Sequence, residues 1–274
     1  MPALSFGDFF LHCETPEAAR YRAPMLVLPG LFQSFACWRP MTSMLAHRGW
    51  EVYCLTRTMP DRDGRPHLLD ETWDRARARI ARVCTRLGAP AVVLASDLGA
   101  ALALSLTGEV PMLALVLFSP SDPTELGAAY RRSLRPGSAP TPLGLLRRLR
   151  RPAAAAPTPE VVAHAALFGP RTAVEETLPE PRRLLEELQA GLPFERADRH
   201  PPALVFAAHD DPLVTERHAL EFAGSVAAKA SRTRLEGRFF AATGAGPIAD
   251  EVQRFLILTL GDRVVEFPEE VLED

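Results

Sequence analysis

Five nearly unbroken apolar runs punctuate the chain: Met25 to Leu28, Trp50 to Leu55, Val92 to Ala95, Met112 to Phe118 and Ala203 to Ala208. Runs of this length without polar alternation predict strands buried on both faces, as in a parallel sheet. Between them the apolar positions change to helical spacing. Trp38, Met41, Met44 and Leu45 mark one helix. Trp73, Ile80, Val83, Cys84 and Leu87 mark a second, with Asp70 as its expected N-cap and Gly88 and Pro90 as its stop. Further helices are predicted behind Asp97, over 215–228 and over 248–260. Leu4 to Phe6 and Phe9 to Cys13 flank Gly7-Asp8 as an N-terminal hairpin, and Ser231 to Leu235 reads as a weak last strand. The polar stretch from Thr56 to Pro66 ends the strand before it. This order predicts an α/β fold, doubly wound, with a mostly parallel eight-stranded sheet.

From Ser119 to about Pro202 the texture changes. Ala, Arg, Pro and Leu dominate, with helical pieces near 124–134, 142–151, 158–167 and 172–191 and no clear strand. The expected organisation is a core domain of residues 1–120 and 203–274, with a helical cap of residues 121–202 inserted after the sixth strand.

Composition narrows the partners. At 274 residues and 47% hydrophobic content the chain can bury the core such a sheet requires. A net charge of -3 gives no general attraction to nucleic acid or anionic membrane. Any partner has to be recognised locally. Arg131, Arg132, Arg135, Arg147, Arg148, Arg150 and Arg151 cluster in the expected cap, as a solvated helix face or as a dock for an acidic carrier protein or anionic substrate. No aromatics interleave with them, which argues against single-stranded nucleic acid. Cys13, Cys37, Cys54 and Cys84 are widely spaced, mostly in apolar runs, and lack a C-x-x-C pair. They predict free thiols, a reducing cytoplasmic setting and no structural metal; no cofactor is expected. No apolar run approaches the ~18 residues of a membrane span, and no basic, apolar leader opens the sequence.

The stretch with the strongest chemical signal is Val92-Val93-Leu94-Ala95-Ser96-Asp97-Leu98-Gly99-Ala100. It reads as a buried strand, a sharp turn and a helix packed close behind. Such a turn needs small residues two before and two after its tip, because the helix crosses near the strand end. Ala95 and Gly99 meet that need for Asp97, whereas Ser96 at the tip would place leucines at both positions.

With this turn, the strand order, the Leu28-Pro29-Gly30-Leu31 loop and the Asp210-Asp211-Pro212-Leu213-Val214 segment, the chain resembles the α/β-hydrolase superfamily across nearly its whole length. An aspartate at the turn is similar to the haloalkane dehalogenase and epoxide hydrolase branch. In that branch the carboxylate attacks an electrophilic carbon, and a His-activated water hydrolyses the resulting ester. The resemblance implies oxyanion-hole donors at the Leu31 and Leu98 amides and Asp211 as the acid that orients the histidine. Pro29 stands where the family usually has histidine. The catalytic histidine itself should fall near Arg238, and no histidine follows His218. His209 directly precedes the acid loop and His218 lies in the predicted helix after it; both are poorly placed for a base above Asp97, while His164 belongs to the expected cap.

The leading expectation is therefore an enzyme of this fold with a broken triad, using Asp97 as acid/base on a small apolar molecule in a lyase, isomerase or cyclase type of reaction. Phe32, Trp38 and Phe239 are candidates to line an apolar cavity, and Arg238 to place a positive charge beside Asp97. Hydrolysis of an ester, epoxide or halide with Asp97 as nucleophile is the first alternative. A non-catalytic ligand-binding protein is the second.

Overall fold

The apolar runs become the middle of one twisted sheet. The computed structural model describes residues 3–5, 9–56, 58–60, 66–68, 70–133, 180–192, 194, 199–234 and 242–265. Its strands are β1 (Ala3–Ser5), β2 (Phe10–Glu14), β3 (Met25–Leu28), β4 (Val52–Thr56), β5 (Thr58–Pro60), β6 (Pro66–Leu68), β7 (Ala91–Ser96), β8 (Met112–Phe118), β9 (Ala203–Ala208) and β10 (Lys229–Thr233). The helices are α1 (Phe35–His47), α2 (Trp73–Arg86), α3 (Asp97–Ser105), α4 (Pro123–Ser133), α5 (Arg182–Ala190), α6 (Glu216–Ser225) and α7 (Ala242–Leu260). Eight strands join in the order β1-β2-β4-β3-β7-β8-β9-β10, and only the two pairings made by β2 are antiparallel. The fold is the α/β, doubly wound sheet expected from the alternation of strands and helices.

Strands β3, β7 and β9 are buried at every residue, because helices cover both faces. Along β7 the side chains alternate between two cores. Val93 and Ala95 join residues of α2, α3, α4, α5 and α6; Val92 and Leu94 join residues of α1 and α7. The chain turns outward to β4 on one side of β3 and, through β7 and α3, to β8 on the other. The crevice outside the carboxyl ends of β3 and β7 is thus the point where strand order reverses, the usual ligand site of open α/β sheets.

Close contact between α3 and β3 depends on Gly99. A Cβ there would stand 2.1 Å from the Leu28 carbonyl oxygen, a backbone atom that cannot step aside. Gly99→Ala is expected to cost about 3 kcal/mol through overpacking, read as a lower urea midpoint.

Several local expectations shift. The N-cap of α2 is Thr72, whose hydroxyl accepts from the Arg75 N–H; Asp70 instead accepts from the Arg75 side chain. Thr72 has the extended backbone of an N-cap, so it supplies the acceptor two residues later than predicted. Part of the polar stretch after β4 pairs as a small antiparallel hairpin of β5 and β6. Helix α7 starts at Ala242, earlier than its apolar spacing suggested, and the last strand is displaced to 229–233. Helices α4 and α5 coincide with two of the four helical pieces expected between 121 and 202; the pieces near 142–151 and 158–167 lie outside the described residues. The four cysteines are buried and joined in no disulfide, and burial pushes the Cys84 thiol up to about 11. Among the described residues, no helix is long and apolar enough to cross a membrane.

Candidate active site

Three non-glycine residues with positive φ gather at the carboxyl ends of adjacent strands: Phe32 (59°) after β3, Asp97 (29°) after β7 and Ser119 (45°) after β8. Each costs backbone energy, on the order of 1–3 kcal/mol, and such strain is often concentrated at working sites. Ser96 has ordinary extended angles, so the sharp turn falls on Asp97, as the flanking small residues predict.

Asp97 has no exposed surface. Donors from two loops converge on its carboxylate. Oδ1 accepts from the Leu31 N–H at 2.8 Å and from the Leu98 N–H at 2.6 Å. Oδ2 accepts from the Ser96 hydroxyl at 3.0 Å. The side chain also stands at the N-terminus of buried α3, where the helix dipole favours negative charge. These interactions offset the desolvation of a buried carboxylate. The two amides expected to form an oxyanion hole therefore do converge on one point, and Asp97 itself fills it. Gly30 makes this possible: a Cβ at that position would be 2.0 Å from Asp97 Oδ2.

The loop after β3 is locked from behind. Gln33 Oε1 accepts from the Gly30 N–H at 2.7 Å and from the Trp38 indole N–H at 3.1 Å, while the Gln33 N–H returns to the Gly30 carbonyl. Trp38 is completely buried on the α1 and α7 side of the sheet, edge-on to Phe118. Its surroundings are those of a core residue that braces the loop, and not of a cavity lining. Phe32 is 2% exposed and its ring lies 5.8 Å from that of Tyr130 on α4. Arg238 and Phe239 lie outside the described residues.

Three consecutive amides of this loop thus take three different side-chain oxygens: Gly30 takes Gln33, Leu31 takes Asp97, and Phe32 takes Glu180 Oε1 at 2.5 Å. Successive N–H groups of this kind form an anion-binding concavity. Glu180, 7% exposed, was not singled out by sequence reasoning. The signal was present as an acid between Pro179 and Pro181, immediately before α5. Helix α5 is anchored through Leu184 and Leu188 in the core and through Glu187, which accepts from the Trp73 N–H at 2.7 Å.

Asp211 lies in the loop after β9, 9% exposed, with Oδ1 accepting from the Leu213 and Val214 N–H groups at 2.8 and 3.0 Å. Four of the five described histidine side chains meet partners elsewhere. His209 meets Glu216 at 2.9 Å on an exposed surface, and His218 faces Thr215 and Glu125. His12 stacks on Phe35, where burial holds it below the ordinary histidine range. His200 turns its Nδ1 to the Pro201 carbonyl, and His47 ends α1. The side chains of His67 and His164 lie outside the described residues. Among the described residues no three His, Cys, Asp or Glu side chains are grouped to hold a metal ion.

Comparison with known proteins places this geometry in context. A proline iminopeptidase-related protein from Thermus thermophilus superposes with a TM-score of 0.64 at 17% identity, over 94% of this chain and 97% of that one. A loop variant of a haloalkane dehalogenase from Bradyrhizobium elkanii gives 0.56 at 20% identity, over 94% and 96%. A carboxylesterase from Bacillus subtilis gives 0.56 at 16%, over 93% and 90%. These likenesses establish the fold alone. No curated protein matches the chain in sequence. Residues 25–265 match the model of the alpha/beta hydrolase family, and the chain belongs to that family.

Proposed function

We propose that the protein is a hydrolase in which Asp97 attacks an electrophilic carbon of a small apolar halide or epoxide and carries the product as an ester. The observation that carries this reading is the pair of amides on Asp97 Oδ1. An acid/base aspartate in a non-hydrolytic reaction would need those amides for an oxygen of the substrate, yet they are already engaged by Asp97. In a covalent mechanism the same arrangement is productive. Oδ2 forms the new bond to carbon as the leaving group departs with its electron pair, and Oδ1 remains as the ester carbonyl. When water then adds to Cγ, charge develops on Oδ1, between two donors already in place. Removing one such donor typically costs about 10²–10³-fold in rate.

Single turnover in ¹⁸O-labelled water tests the reading with a short haloalkane and an epoxide as probes. Hydrolysis through Cγ leaves the label in the Asp97 peptide after the first turnover, because Oδ2 departs with the alcohol and water oxygen replaces it. Label in the product from the first turnover would mean direct attack of water on substrate and would sink the proposal. Binding of a probe with neither label transfer nor product would favour a ligand-binding protein without turnover.

A further inference from the structure

We infer that Glu180 is the general base for the second half-reaction, occupying the functional place of the histidine that is missing from the end of the sequence. The inference rests on the covalent reading above. Two observations carry it. Glu180 and Asp97 are bonded to the consecutive amides Phe32 and Leu31, at 2.5 and 2.8 Å. Consecutive amide nitrogens are within about 3.7 Å of each other, so the two bonded carboxylate oxygens are at most about 9 Å apart. Paired carboxyl groups roughly 6.5–9.5 Å apart elsewhere hold one activated water between them, a separation this upper bound admits. The second observation is that His12, His200, His209 and His218 meet partners other than Asp97, and no histidine follows His218. Glu180 is also fixed independently of Asp97, by α5 packing through Leu184 and Leu188 and by the Glu187 bond to Trp73.

The step balances with the groups present. Glu180 takes a proton from water as its oxygen adds to Cγ, and the carbonyl electron pair moves onto Oδ1, toward the Leu31 and Leu98 amides. The tetrahedral species then collapses and breaks the bond between Cγ and the oxygen that was Oδ2. The departing alkoxide recovers the proton from Glu180 and leaves as the alcohol. Asp97 is left with the oxygen of the water and releases one proton to solvent on ionising.

Glu180→Gln tests this, since the amide oxygen of glutamine still accepts from Phe32. With the haloalkane or epoxide that the parent protein turns over, the variant should form the Asp97 ester at the parental rate. It should then hydrolyse the ester about 10²–10⁴-fold more slowly, so intact mass shows protein plus one alkyl group accumulating. If the glutamine variant does not fold, Glu180→Ala with added formate replaces it, and the ester should decay only when formate is present. Parental turnover in Glu180→Gln overturns the inference, as does loss of ester formation together with hydrolysis, which would make Glu180 a support of the loop. The underlying reading fails separately: a parent protein that releases product with no label in Asp97 excludes the ester itself.

Discussion

Asp97→Asn is expected to remove hydrolysis of the halide and epoxide probes altogether, with no ester detectable by intact mass. Loss of a covalent nucleophile alone lowers turnover by on the order of 10⁶-fold in well-studied hydrolases, and a neutral amide oxygen cannot displace a leaving group from carbon at a useful rate. The variant should stay folded. Asparagine keeps the Oδ1 acceptor for the Leu31 and Leu98 N–H groups, and the Ser96 hydroxyl can rotate to accept from the new NH₂. Its thermal midpoint should therefore remain near that of the parent, which separates a chemical loss from a folding loss. Parental kcat in Asp97→Asn would refute a covalent role.

The second large effect concerns stability. Arg79, on the inner face of α2, is 5% exposed and is paired at 2.6 Å with Glu71, which is 2% exposed. It also donates to the Thr56 carbonyl at the end of β4, again at 2.6 Å. Arg79→Met leaves a buried carboxylate and a buried carbonyl without their cation, and breaking one side of such a pair costs about 3–5 kcal/mol. Urea denaturation should show that loss as a lower midpoint. The double variant Arg79→Met with Glu71→Leu should recover most of it, because no unpaired charge is then left inside. A single variant as stable as the parent would show that Glu71 finds another partner.

Legibility in the sequence differed by feature. The sheet was readable because a strand covered on both faces is apolar along its length, as β9 is throughout and β7 is up to Ser96. The turn at Asp97 was readable because its steric demands fall on residues two positions away, Ala95 and Gly99. Arg79 was not: as one of five arginines in α2 it looks like another solvated position, and only the approach of Glu71 and β4 makes it an interior one. Trp38 was expected at a cavity because aromatics suit pockets and cores alike. Its bond to Gln33 and its contact with Phe118 resolve that ambiguity in favour of the core.

By itself the sequence determined the order of elements, the parallel sheet and the identity of the residue at the sharp turn, since each follows from periodicity or from sterics over a few residues. Tertiary structure decided what that residue meets. The Leu31 amide lies 66 positions away from Asp97 and the Glu180 carboxylate 148 positions from the Phe32 amide it accepts from. Contacts across such separations leave no periodic trace in a single chain. They arise because β3 and β7 are neighbours at the reversal of strand order, with α5 packed on the same face, so that three amides and two carboxylates come together only after the sheet has formed.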